Sequence, residues 1–467
     1  MSFAVFKEQV STDIFSQDVF FAAGAAFLLL AVITMGFIDA GLVRRKNLLD
    51  TWVQKLVTSL IAGLGMMIVG YAVWQWQFYD ALGVKRPLGE AIKTWWIGGT
   101  GFRSVAQDID PGVIPGADVL QIYGGFFAAW AALLGALLHS AGVERVKAAP
   151  MYIIGFVAGA VVMPILAYLT WGSASPLTNA GLHDHVGVFA MYILAGTWAL
   201  ILAWRAGPRI GALTSDPRTI GPVPHNLGWS AAGVGLLMVA IIFPILSCGY
   251  FVPGEGYFGI SLSSSGIGIM VTNIFVAFCV GGLVGAAIAY KTGSPVMALL
   301  GPVAGYIACA TGFDVYNPLE TALVSAGGPI AVYLGMLFTR RIGIDESKIV
   351  PLTLFGGGYG AIVSGFVAWH TKIGGYFGAT GDFAPQHAEI TPWMQILGLG
   401  VTLGISAITG LALILLLEKT IGLRVKEHEE LAGLDASYWN SPPMEHDLPA
   451  VAPEDADAFE RPSLSAR

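Results

Sequence analysis

The chain has 467 residues, 55% of them hydrophobic and only 12% charged, with a mean hydropathy of +0.69. Soluble domains carry about a quarter charged residues, so this composition excludes an ordinary soluble enzyme and points to a polytopic helical membrane protein. The net charge of −7 sits mostly in loops and an acidic tail, and no basic stripe suits a nucleic acid.

Residues 1–18 lack the basic head, apolar core and small-residue cleavage site of a signal peptide, so the first apolar run reads as a retained span after an extracytoplasmic N-terminus. Eleven segments are long enough to cross a hydrocarbon core of ~30 Å. They lie near 19–41, 54–78, 119–139, 149–171, 186–204, 228–247, 262–289, 295–313, 320–339, 350–369 and 392–417. Many of the 61 glycines fall inside these runs, where small residues let helices approach closely. Cys248, Cys279 and Cys309 lie in or beside apolar segments, without metal-site spacing, and read as reduced packing residues.

Between the second and third segments, residues 79–118 form a long external loop with Trp95-Trp96, a GGTG stretch and Asp108, Asp110 and Asp118. It reads as a solvated loop with interfacial tryptophans; a cover for the outer mouth or a docking surface is the alternative. Residues 418–467 form a tail whose last part, 440–467, is rich in Pro, Ala, Asp and Glu and reads as disordered.

Lysine and arginine cluster after segments 1, 3, 5, 7 and 9, as at Arg44-Arg45-Lys46, Arg145, Arg205 and Arg340-Arg341. The positive-inside rule makes those loops cytoplasmic, with the N-terminus outside and the C-terminus inside. Two sets of five spans plus one extra suggest an inverted repeat, which puts a solute path at the interface of the halves.

The fifth segment opens on His183-Asp184-His185 and runs apolar except for the phenol of Tyr192. An acid at the mouth of a span is either a helix cap beside exposed histidines or part of a functional site. The His-Asp-His run is a weak metal pattern, and the expectation is no metal and no cofactor.

Four stretches resemble the ammonium transporter, methylammonium permease and Rhesus superfamily. DAGLVRRKN (Asp39 to Asn47) is similar to the AG-L-V-R-x-K-N signature closing that family's first span. In the fifth segment Asp184, Gly187, Ala195 and Gly196 fall in register with D-F-A-G-G-x-x-V-H-x-N-A-G, and GPRIGAL (Gly207 to Leu213) follows. DESKIVPLTLFGGGYG (Asp345 to Gly360) keeps the spacing of D-P-x-x-x-V-P-x-H-G-x-x-G-x-x-G, and IGLRVKEHEELAGLD (Ile421 to Asp435) matches the tail motif. The resemblance implies an eleven-helix, all-α channel fold of two inverted five-helix repeats plus one helix. It also implies a homotrimer, a pore in each subunit, and ammonium or ammonia as the solute.

Carried over residue by residue, the resemblance makes Asp184 the acid behind an outer recruitment site and Trp171 its cation-facing indole. An interfacial-belt tryptophan is the other reading of Trp171. Gln121 is similar to the family's third-span glutamine. The register then slips, leaving Gly124 or Gly125 at the first gate with Tyr123 and Phe126 beside it. Tyr250 stands at the second gate and the outer site, and Phe251 replaces the following asparagine. The twin pore histidines are replaced by Tyr192 and Thr353, and Leu194 stands where the family has asparagine. A phenol ionises near pH ~10 and threonine not at all in this range, so an imidazole relay is absent; the two hydroxyls are positioned to bond each other or a file of solute. Asp39, at a helix end that disfavours an acid, is expected to find a partner such as a nearby arginine. Gly422, Arg424, Glu430, Gly433, Leu434 and Asp435 look like the tail segment that packs under a neighbouring subunit, and a cytoplasmic regulatory protein is a further implied partner.

The reading is a bacterial plasma-membrane channel or transporter with altered pore chemistry. A non-conducting ammonium sensor or scaffold is the alternative, and a docking subunit a third. No nucleophile–base pair or phosphate loop supports an enzyme.

Overall fold

The computed structural model describes residues 12–103, 117–213, 222–252, 257–259 and 265–441. Its body is eleven apolar helices. In chain order they are α1 Phe15–Leu42, α2 Arg45–Ala81, α3 Asp118–Gly142, α4 Ala148–Thr170, α5 Val188–Ala206, α6 Leu227–Leu246, α7 Ile267–Thr292, α8 Pro295–Cys309, α9 Pro318–Arg341, α10 Val350–Val367 and α11 Pro392–Thr420. Among the described residues ten of these are long and apolar enough to cross a membrane, and α8 is shorter at 15 residues. The eighth segment therefore ends four residues before the sequence suggests, and Thr311 to Asn317 form a loop.

Local chemistry sets the ends. Proline opens α8, α9 and α11, where a missing N–H costs nothing. Asn317 and Glu320 close a capping box at α9. Gly293, at φ +70°, stops α7 in the left-handed region.

The helix at the centre is α5: every residue from 181 to 199 is buried. It packs against α3, α10 and α11, while α1 lies between α3 and α6. The fifth and tenth spans share two features. Each begins with a π-helical stretch, Val188–Ile193 and Val350–Gly356, a local widening common at functional sites. Each also has its first N–H groups capped by an acid. Asp184 accepts from Val188 and Phe189 at 2.7 and 2.9 Å; Glu346 accepts from Ile349 and Val350 at 2.8 and 2.6 Å. A carboxylate there satisfies orphan donors and the positive end of the helix. The two capped ends lie at opposite faces of the bundle, as an inverted repeat requires. The face with Asp184 is called the mouth, and the face with the C-terminal segment the tail end.

In the external loop, short helices Pro87–Trp95 and Thr100–Arg103 fold over the mouth. Trp95 is buried against Tyr71 and Phe102, so it is a packing residue rather than an interfacial one, while Trp96 is exposed. Asp108 and Asp110, and the tail from 442 to 467, lie outside the described residues. Two short strand pairs, Tyr250–Val252 with Tyr257–Gly259 and Lys372–Ile373 with Ala388–Glu389, complete the loops.

Candidate functional site

The mouth is built on the turn preceding α5. Gly187 has φ +75°, and a side chain there would meet the Trp171 ring at 2.7 Å. Glycine thus lets the indole lie against the turn that Asp184 caps. Trp171 is 4% exposed, and its Nε1 donates to the His185 carbonyl at 3.1 Å. The belt reading of Trp171 therefore fails, because the ring is held inside the protein. Around it stand Phe127 at 5.2 Å and Trp130 at 5.6 Å between ring centroids, and Trp74 donates to the Trp171 carbonyl at 2.8 Å. Burial pushes the Asp184 carboxyl up to about 7, against the pull of the Phe189 and Val188 N–H groups and of His183.

His183 and His185 are buried rather than exposed, at 8% and 6%. Both face Asp314, in the loop after α8. His183 Nε2 lies 2.9 Å from Asp314 Oδ1, and His185 Nδ1 lies 3.7 Å from Asp314 Oδ2. Burial alone would raise the Asp314 carboxyl and lower His183. Their mutual attraction reverses both, holding Asp314 down to about 2 and raising His183. Burial keeps His185 lowered despite Asp314. Sequence reasoning missed Asp314, because the apolar run of the eighth segment was carried up to its neighbour Phe313. The lone acid in TGFDVYN was the available signal. Among the described residues no group of three or more His, Cys, Asp or Glu side chains is arranged to hold a metal ion.

Of the gate candidates, Tyr123 stacks over Trp74 and donates its hydroxyl to the Gly249 carbonyl at 3.0 Å. Phe126 is fully buried against Trp130. Its neighbour Phe127, not singled out from sequence, is the ring that faces Trp171 and Trp74. Gly124 lies against Phe102 of the loop, and a Cβ on Gly125 would meet open space. The Tyr250 backbone pairs with Gly259, and its side chain lies outside the described residues.

Deeper along α5, the Tyr192 hydroxyl meets the Tyr306 hydroxyl of α8 at 2.6 Å. The two rings are edge to face, and Tyr306 stacks on Phe313. Thr353 makes no bond to Tyr192. Its hydroxyl donates to Ile349 within its own helix at 2.7 Å, and it sits against Gly196, where a Cβ would lie 2.5 Å from Oγ1. Gly357, one turn further along α10, is the residue that faces Tyr192. The π-helical stretches at the head of each helix shift which residues meet, and sequence spacing does not reveal such a shift. Tyr306 itself had no sequence signal, since an aromatic in an apolar helix reads as packing. Leu194 is fully buried.

At the tail end, Asp39 is buried with two lysines rather than an arginine: Lys55 at 2.7 Å, and Lys348. Ser140 donates to the same carboxylate at 2.7 Å. The tail motif docks on this chain's own loops. Arg424 donates to the Ala206 and Pro208 carbonyls past the end of α5, and pairs with Glu430 at 2.7 Å. Glu430 also accepts from Ile210 N at 2.7 Å. Gly433, at φ +101°, turns the chain against Lys46; Leu434 N then donates to Asn47, and Asp435 accepts from the Leu49 and Asp50 N–H groups at the head of α2. Arg209 joins Glu144 to Asp345, the acid leading into α10. Burial would raise Asp345, but Arg209 and Arg145 hold it down to about 2. Gly422 is left-handed at φ +72°, which turns the chain out of α11.

Residues 19–441 match the model of the Ammonium Transporter Family. The chain is 26% identical to ammonium transporter Amt1 of Methanocaldococcus jannaschii, over 90% of its own length and 95% of that protein. It is 28% identical to ammonium transporter Amt1 of Archaeoglobus fulgidus, covering 89% and 95%. Among solved structures it superposes on a sensor Amt protein with a TM-score of 0.73 at 18% identity, covering 91% of this chain and 98% of that one. It superposes on Saccharomyces cerevisiae Mep2 with a TM-score of 0.66 at 16% identity, covering 89% and 88%. These structural likenesses establish the fold.

Proposed function

The chain belongs to the ammonium transporter family, an integral multi-pass membrane family without enzymatic activity. From that premise we propose that it gathers ammonium at the mouth and passes ammonia or a related small solute along α5, with Tyr192 and Tyr306 as the constriction. The observation that carries this reading is the mouth itself. A buried indole, Trp171, lies against the turn whose N–H groups hold Asp184. An aromatic face beside a carboxylate suits a small cation, with each cation–π contact contributing about 0.5–2 kcal/mol.

Below the mouth the described groups offer hydroxyls rather than imidazoles. Protons are therefore not relayed through a histidine pair; the solute crosses as the neutral species or by displacing the phenol bridge. The tail end is the cytoplasmic face, following the lysine and arginine distribution. The family resemblance supports a homotrimer in a bacterial plasma membrane, with a cytoplasmic regulator as a further partner. The tail motif supports coupling to α2, α5 and α10 of its own subunit.

A second reading, a sensor that binds ammonium without conducting it, is favoured by the Tyr192–Tyr306 bond, since a bridged pair closes a narrow path. Both readings meet one experiment. Purified protein in liposomes is given an ammonium jump on a solid-supported membrane, beside Tyr192→Phe and a Tyr192→His/Thr353→His pair. A saturable wild-type current supports transport. Wild-type silence, both electrically and in a pH-flux assay for neutral ammonia, with current restored by Tyr192→Phe, supports the sensor.

A further inference from the structure

The His183–Asp314–His185 cluster is absorbed neither by the cap on α5 nor by the Trp171 cradle. Its parts come from two elements: the turn before α5 and the loop after α8. His185 Nε2 lies 3.1 Å from the Ile245 carbonyl, which can only accept, so that nitrogen carries the proton. In the neutral ring Nδ1 is then an acceptor, and it points at Asp314 Oδ2, which also only accepts. At 3.7 Å the two stand beyond hydrogen-bond reach, as two acceptors must. A small donor at about 2.8–2.9 Å from each fits that separation. The Asp314 side chain keeps 13% of its exposure and that of His185 4%, so a solute reaches the pair from the carboxylate side.

We propose that Asp314 Oδ2 and His185 Nδ1 form a second cation subsite at the mouth, taking ammonium or a primary alkylammonium ion through its N–H donors. It rests on the reading of the mouth as an ammonium-gathering site and adds residues to it. The chemistry favours a donor cation over a bare metal ion, because an N–H group serves the imidazole lone pair and the carboxylate together. His183 holds the other carboxylate oxygen and keeps Asp314 in place, so it positions the subsite. The remaining charged or titratable neighbours are Asp184, beside His183, the Cys248 thiol, near both acids, and the Tyr316 phenol, near Asp314. None of these is a cation; among the described residues the one cationic neighbour is His183, which engages the other carboxylate oxygen, Oδ1, and leaves Oδ2 to the solute.

The test uses the full chain in detergent, with radiolabelled methylammonium binding by scintillation proximity and sodium chloride as control, on wild type, Asp314→Asn and Trp171→Ala. Asp314→Asn is expected to weaken binding by at least about tenfold. A companion measurement on wild-type protein needs no acid variant: in 15N-histidine spectra the unprotonated Nδ1 signal of His185, assigned with His185→Gln, moves on adding ammonium chloride and not sodium chloride. Binding unchanged in Asp314→Asn but lost in Trp171→Ala would overturn the subsite and leave the gathering mouth intact. An unmoved His185 signal at saturating ammonium would also overturn it. No methylammonium binding by wild type would remove the gathering mouth and the subsite together.

Discussion

The hydroxyl of Tyr192 on α5 and that of Tyr306 on α8 lie 2.6 Å apart, at the level where the family resemblance leads one to look for a histidine pair. One phenol donates and the other accepts, and both are buried. Replacing Tyr192 with Phe removes the bridge at a cost of about 1 kcal/mol in stability. It is expected to raise flux after an ammonium jump, read as the initial slope of solid-supported membrane current for the cation and of the internal pH change for neutral ammonia. Equal flux in wild type and Tyr192→Phe would mean that the bridge is no barrier.

The Gly187 turn sets the position of Trp171. Gly187→Ala forces a Cβ to 2.7 Å from the indole and holds alanine at φ +75°. Strain of this kind costs about 1–3 kcal/mol. The expected outcome is a lower thermal midpoint, a shifted tryptophan emission and weaker methylammonium binding. An unchanged emission spectrum would show that the indole does not need the glycine.

Glu430 has a fully buried side chain and draws together Arg424, Arg44 and the Ile210 N–H. Breaking a fully buried pair costs about 3–5 kcal/mol. Arg424 is 32% exposed and partly screened by solvent, so the cost of Glu430→Ala is expected below that range, about 2 kcal/mol. The tail should then detach, giving faster tryptic cleavage after Lys419 or Arg424. Wild-type cleavage rates would locate the anchoring elsewhere in the motif, at Leu434 and Asp435.

Asp39 serves two lysines. Asp39→Asn leaves Lys55 and Lys348 facing each other with only a neutral amide between them, and a loss of about 3–5 kcal/mol is expected. Lys348→Met removes one of two cations and should cost less. The check is the ranking of thermal midpoints: Asp39→Asn below Lys348→Met, and the double variant above Asp39→Asn alone.

Asp345 is held down to about 2, below the usual carboxylate range, by Arg209 and Arg145 against its burial. A depressed acid contributes stability that is complete above its unfolded value, about 4, and is lost as pH falls through the folded value. The tail-end network should therefore survive from neutral pH to about 4 and loosen between about 4 and 2. Tail proteolysis by pepsin across that range reads it directly. Asp345→Asn should remove most of this dependence, and a wild-type tail insensitive to that fall in pH would contradict the assignment.

The chain by itself determined the class of architecture. Low charge and eleven apolar runs require helices that satisfy their own backbone in lipid, which is why the spans could be read, with the largest misses at the heads of α2 and α7 and the end of α8. Asp184 and the tail motif were legible too, because an acid beside a span and a run of glycines and charges after one are rare. What only the tertiary structure decided is pairing. Asp314 meets His183 from 131 residues away, and Tyr306 meets Tyr192 from 114. Thr353 bonds back to Ile349 of its own helix, an orientation that residue spacing does not show. The partner of Asp39 is likewise lysine rather than arginine. Hydropathy records how much surface each segment must bury, whereas side-chain partners depend on how the helices are rotated against one another, and packing across the whole bundle fixes that rotation.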